Sequence, residues 1–258
     1  MTFNNVIDTL RLACRELSRT YLDEYMQQYR KSSCFYRYLV TDEIAVHLCT
    51  LTDLEFADFG EFRSLVREIP SVFLDPRLQN PPPEALAYIR TAQQAFWDQL
   101  EAVQPDCPRP DIPYCRRLTG PEASRIAGQF REKWDYVPET YWYPLTQREV
   151  REDRLFLMAA CVQDHWAQIE KLLGLPEARL YCLAEKDYPG MANCAEVAQL
   201  PDYGGLESAW CDREFTWIVY FSHEETVTFA GAILPEIQKI LAPEREHWNR
   251  WEQTPDEL

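Results

Sequence analysis

Glycine is scarce in this chain, with eight among 258 residues and few of them close together. A loop that cradles phosphate needs clustered glycines, and G-x-G-x-x-G, the Walker pattern, G-x-S-x-G and the kinase set are all missing. The usual nucleotide enzymes are therefore disfavoured, and no cofactor is expected. Paired cysteines at metal or redox spacing are missing too. The nine cysteines, Cys14, Cys34, Cys49, Cys107, Cys115, Cys161, Cys182, Cys194 and Cys211, are odd in number and contain no C-x-x-C, which predicts reduced structural thiols rather than a disulfide framework. Among the four histidines, His47, His165, His223 and His247, there is no H-E-x-x-H and no cysteine-histidine pair at ligand spacing, so no metal is expected either. No apolar run approaches the roughly 18 residues of a membrane span. The longest, LFLMAACV from Leu155, is too short, and the N-terminus lacks the pattern of a signal peptide, so a cytoplasmic location is expected.

What the chain does have is apolar content and negative charge. Hydrophobic residues at 46% and aromatics at 13% are enough to bury a core, and the formal charge is −16. Residues 1 to 120 carry 13 basic against 17 acidic side chains, and residues 121 to 258 carry 13 against 25. Between Ala184 and Glu236 ten carboxylates are offset only by Lys186 and Arg213. A field of that sign repels nucleic acid and anionic membrane and attracts a basic protein or cations, unless it serves solubility alone.

Hydrophobic spacing predicts an α+β fold, an antiparallel or mixed sheet with hairpins covered by four or five amphipathic helices. Val6, Ile7, Leu10, Ala13, Leu17, Tyr21 and Tyr25 recur at steps of three and four, a long helix over residues 3 to 30. Phe35 to Thr41 and Ile44 to Thr50 read as a hairpin around Asp42-Glu43. Thr52 or Asp53 would cap a helix stopped by Pro70, and Pro83 would open another through Leu100. PDCPRPDIP, with four prolines, is either a boundary or a brace, so the chain is either two lobes, 1 to 107 and 108 to 258, or one continuous domain. Beyond it, YCRRLTG reads as a strand, Pro121 to Trp134 as a helix, and Leu155 to Leu173 as a helix ended by Gly174 and Pro176. ARLYCLAE reads as a strand. The next 28 or so residues have no sustained period and carry at most a short helix, MANCAEVAQL. Phe215, Trp217, Val219 and Phe221 alternate with polar and apolar neighbours, and Val227 and Phe229 resume after His223-Glu224-Glu225, a hairpin with one buried face followed by a helix from Pro235.

Two kinds of site residue emerge. His223 beside Glu224 and Glu225 is the one place where an imidazole meets carboxylates in an expected turn: a general base or metal ligand, or a turn in which Ser222 and His223 satisfy backbone groups. Cys211 nearby allows a thiol hydrolase. Tyr188, Tyr203 and Trp210, interleaved with Asp187, Asp202, Glu207 and Asp212, combine rings and charges as a surface for a basic partner would, or else fill the sheet's own second layer.

The run FTWIVYFSHEETVTFAG, preceded by a Tyr-Gly-Gly loop and followed by an apolar helix, resembles the C-terminal end of small acidic cytosolic bacterial proteins of uncharacterised function, some of them like immunity proteins. The resemblance covers about residues 200 to 241 and brings no functional residues with it. Together these features predict a non-enzymatic binding protein, an immunity or antitoxin-like inhibitor that occludes a basic partner such as a toxin. Its partner-binding residues would be Asp187, Tyr188, Asp202, Tyr203, Trp210, Asp212, Glu214, His223, Glu224 and Glu225. The alternatives are a small-molecule hydrolase built on His223 and a scaffolding subunit.

Overall fold

The computed structural model describes residues 1–27, 32–73, 75–138, 140–146, 151–185, 193–198 and 207–251. The chain divides into two compact units, Met1–Ile112 and Pro113–Leu258.

The described residues of the first unit form helices: α1 (Asn4–Gln27), α2 (Ser32–Leu48), α3 (Phe59–Glu68), α4 (Pro76–Gln79) and α5 (Leu86–Ala102). Along α1, Val6, Ile7, Leu10, Cys14 and Tyr21 are buried, as the spacing predicts. The hairpin expected over residues 35 to 50 is instead α2. Its aromatic and β-branched content favours strand, but Val40, Ile44 and Leu48 are all buried at helical steps of four, and the helix packs against both α1 and α5. Contact with two helices spreads the apolar residues over more than one face, from Phe35 and Tyr36 to Leu39 and Val40, and the period is then hard to read. The cap of α3 is Asp58, not Thr52 or Asp53. Its carboxylate accepts from the Glu61 N–H at 2.9 Å, and the Glu61 carboxylate accepts from the Ala57 N–H at 2.6 Å, a reciprocal cap. The proline-rich segment is braced onto α1. Asn5 Nδ2 donates to the Cys107 carbonyl at 2.6 Å, and Arg109 Nε donates to Asp8 Oδ2 at 2.8 Å. Asp8 and Arg11, paired at 2.7 Å, are both 2% exposed.

Among its described residues the second unit is built on one seven-stranded sheet. Its elements are β1 (Cys115–Arg117), α6 (Gly120–Trp134), β2 (Arg154–Met158), α7 (Ala159–Val162), α8 (Trp166–Leu172), β3 (Leu180–Ala184), β4 (Asn193–Val197), β5 (Ser208–Cys211), β6 (Trp217–Phe221), β7 (Thr226–Gly231) and α9 (Leu234–Ile240). The strand order is β1-β4-β3-β5-β6-β7-β2, and every pair is antiparallel. Two expectations are corrected here. The helix placed over Leu155 to Leu173 starts as β2, whose Leu155 and Leu157 face one layer and Phe156 the other, and only then turns into α7 and α8. The segment read as a short helix within MANCAEVAQL contains β4, inserted between β1 and β3.

The sheet is buried on both faces. Trp217, Val219 and Phe221 of β6 pack with Val162, Ile169 and Ile237 from α7, α8 and α9. Ile218 and Tyr220 pack with Ile126 and Phe130 of α6 and with Tyr136, Trp142 and Tyr143. The period-two alternation of the sequence is therefore two apolar sets facing opposite layers rather than one buried face and one wet face. Gly231 closes β7 with φ +82°, and a Cβ there would meet the Thr216 carbonyl oxygen at 2.4 Å and the Trp134 ring at 2.7 Å, so only glycine fits.

Candidate functional site

The β6–β7 turn, Ser222 to Glu225, is a tight connection with its own internal bonds. Ser222 N–H donates to the Thr226 carbonyl at 3.0 Å, their hydroxyls meet at 2.7 Å, and Glu225 takes φ +57° with its N–H on the Ser222 carbonyl at 3.2 Å. Ser222 and Thr226 are fully buried, while His223, Glu224 and Glu225 are exposed. The turn thus projects an imidazole and two carboxylates from a rigid base.

The partner of the imidazole comes from elsewhere in the chain. Ser208 of β5 stands opposite Phe221 of β6, so antiparallel continuation carries Glu207 past the strand end to the side of His223. The Glu207 side chain is 2% exposed. Its Oε1 accepts from the His223 backbone N–H at 3.1 Å and from His223 Nδ1 in a short contact. Its Oε2 accepts a short hydrogen bond from the Tyr220 hydroxyl, whose oxygen accepts from the Trp142 N–H at 3.4 Å. On the outer side, His223 Nε2 lies 3.0 Å from Glu224 Oε1, and the Tyr141 ring packs on the imidazole with centroids 5.0 Å apart. Tyr141 is 56% exposed.

The electrostatics follow from this arrangement. Burial raises the Glu207 carboxyl above the ordinary range, and the donors and charge of His223 pull it part of the way back. For His223, burial opposes the charged form, but the hydrogen bonds and charges of Glu207 and then Glu224 outweigh it, and the imidazole holds its proton above its ordinary value. A backbone N–H, a phenol and an imidazolium converge on one buried carboxylate, so its desolvation is offset by bonds rather than left uncompensated.

The other end of the sheet is organised differently. The β5–β6 turn lies opposite the β6–β7 turn, because successive antiparallel connections alternate ends. There Asp212 closes its own turn, accepting from the Thr216 N–H at 2.6 Å and from the Thr216 hydroxyl at 2.5 Å. Arg213 lies 3.6 Å from Glu196, which Arg116 also pairs at 3.0 Å while holding Glu122 at 2.9 Å. The acidic stretch is therefore split. Asp212 and Glu214 sit at an arginine-braced end, and His223, Glu224 and Glu225 sit with Glu207 at the opposite one.

Of the other sequence candidates, Trp210 is a core residue, 5% exposed and edge-on to Phe221 at 5.3 Å. It fills the sheet's own layer instead of offering a ring to a partner, because its alternation in β5 points it at the α7–α9 side. Asp187, Tyr188, Asp202 and Tyr203 lie outside the described residues. Cys211 is fully buried, and burial pushes its thiol far up from the ordinary range, so it has none of the character of a nucleophile.

Sequence reasoning placed Glu207 among the carboxylates of the acidic aromatic loop but not beside His223, and it missed Tyr220 as the donor to Glu207, and Tyr141. A signal existed for one of them: a tyrosine on a strand with apolar neighbours on both sides must find a partner for its hydroxyl. Among the described residues no group of three or more His, Cys, Asp or Glu is placed to hold a metal ion, and no helix is long and apolar enough to cross a membrane. No family model, curated protein or solved structure matches the chain.

Proposed function

We propose that this chain is a non-enzymatic cytoplasmic binding protein whose β6–β7 end holds a basic protein, in the manner of an immunity protein occluding its toxin. The observation that carries the reading is the double engagement of His223: Nδ1 is on Glu207 and Nε2 is on Glu224. While both contacts are made, the imidazole has no lone pair to offer a substrate or a metal. What the tip does offer is an exposed Tyr141 ring packed on the His223 imidazole, together with the exposed carboxylates of Glu224 and Glu225 on the same turn as His223. A ring gives buried area at low entropic cost, and the carboxylates steer and register a cationic partner. The surrounding charge of −16 adds long-range attraction. The hydrolase alternative needs a free Nε2 or a reactive Cys211, and both the Glu224 contact and the burial of that thiol weigh against it.

The test uses variants at the two ends of the sheet. Immobilised wild type and Glu214→Lys should retain the same basic protein from the source cell extract, while Tyr141→Ala and Glu224→Lys with Glu225→Lys should lose it. With the retained protein purified, charge reversal at the tip should slow association and weaken its salt dependence. Equal retention by all four proteins would remove the tip from the account.

A further inference from the structure

The two contacts of the His223 ring differ in what surrounds them. Ionised Glu207 can only accept, so Nδ1 carries a proton, and a carboxylate 3.0 Å from Nε2 requires a proton there as well. The closed arrangement therefore belongs to the doubly protonated imidazole. When that ring loses one proton, the two sites are not equivalent. Glu207 is 2% exposed, also holds the Tyr220 hydroxyl and the His223 N–H, and has no solvent to replace a lost donor. Glu224 is 56% exposed, and water can take over its hydrogen bonds. The proton leaves Nε2, whose lone pair then faces a carboxylate, and the two separate.

We propose that the His223–Glu224 contact is a proton-operated latch, closed while the imidazole carries two protons and open once it carries one, and that the open form receives a cationic side chain of the partner. Opening makes the tip more negative by one charge and frees the Glu224 carboxylate on the turn whose imidazole the Tyr141 ring covers, so that a guanidinium or ammonium group gains an ion pair with an exposed π face at the same tip. The charged and titratable groups around the ring come from every neighbouring element. Glu207 precedes β5, Glu185 follows β3 and acts on Glu207, Tyr220 of β6 acts through Glu207, Tyr141 lies ahead of β2, and Glu224 and Glu225 belong to the turn itself. The raised proton affinity of His223 puts the latch's working range above the ordinary histidine value. This proposal rests on the reading of the tip as a recognition surface, and its test separates the two.

The latch is tested on the free protein by following the His223 ring and Glu224 side-chain carboxyl resonances with pH, in wild type and in Glu224→Gln. The latch predicts a Glu224 step at the same midpoint as His223 and a lower His223 midpoint in Glu224→Gln. An unmoved Glu224 resonance, or an unchanged His223 midpoint in the variant, overturns it. Partner coupling is tested with a hexa-arginine peptide, whose affinity for wild type and for Glu214→Gln should rise roughly five-fold from pH 6 to pH 8.5, the scale of one added charge at contact distance in water. The gain should be smaller in Glu224→Gln, where the ring still loses its charge but no carboxylate is freed. The same gain in all three proteins contradicts the coupling. A peptide that binds at no pH, with the latch resonances behaving as expected, supports the latch and contradicts the recognition reading.

Discussion

Glu207 and His223 stand 16 residues apart, and one oxygen of the Glu207 carboxylate accepts both the backbone N–H and the ring Nδ1 of His223. The turn that carries His223 is thereby tied to the start of β5, and its imidazole is oriented before any partner arrives.

Stability should carry the signature of that pair. Both groups have folded values above their ordinary ones, so the folded chain holds protons that the unfolded chain has released. The His223 contribution is complete below about pH 6.5 and is lost as pH rises through its folded value. Denaturant unfolding from pH 5.5 to 9 should show wild type losing stability relative to His223→Gln as the pH increases. A difference that grows in the opposite direction would reverse the assignment of charge.

Trp210 and Tyr141 should behave oppositely on truncation. Trp210→Ala empties a core position on the α7–α9 side and should cost about 3–5 kcal/mol of stability. Tyr141→Ala, at a 56% exposed position, should change stability by about 0.5 kcal/mol or less while lowering partner affinity. Chemical unfolding of the two variants measures both.

These residues also show what the sequence could reveal. The 215–230 hairpin was legible because alternation and a polar break coincide there, and α1 and α6 because each buries one stripe against a layer. The α2 segment was not, since apolar residues on several sides erase the period. β2 was absorbed into the helical pattern that follows it, because Leu155, Met158 and Ala159 fit helical steps whether or not the first five residues are helical. The site was half legible. His223, Glu224 and Glu225 adjoin in sequence, but Glu207 reaches them only through the β5–β6 register, a long-range pairing that no local pattern encodes. Trp210 belongs to the core because its segment is strand β5, whose alternation directs the ring to the α7–α9 side.

Thiol chemistry should sort the nine cysteines by depth. Cys107, Cys115 and Cys161 are partly exposed, and the other six are buried. Burial pushes the thiols of Cys14 and Cys194 up to about 12 and those of Cys182 and Cys211 well up. An aromatic disulfide reagent at pH 7.5 should modify at most three thiols in native protein and all nine after denaturation. Rapid native modification of Cys211 would restore the thiol hydrolase.

In the helical unit, Asp8 is the common acceptor of Arg11 and Arg109. Asp8→Ala removes the buried carboxylate 2.7 Å from the 2% exposed Arg11 guanidinium and should cost about 3 kcal/mol. Arg109 is half exposed, and Arg109→Ala should cost about 1 kcal/mol or less. Equal losses in denaturant melts would mean that the brace on the proline-rich segment, rather than the buried ion pair, carries the stability.

The central claim is that His223, below its raised titration range, is held as a charged clamp between Glu207 and Glu224 rather than as a free base. The most direct measurement is the pair of ring nitrogen chemical shifts of His223 at pH 6.5 in ¹⁵N-labelled protein. The account predicts that both nitrogens are mainly protonated, with shifts close to those of an imidazolium. A neutral ring with an unprotonated Nε2 at that pH would contradict it and return His223 to the list of candidate bases.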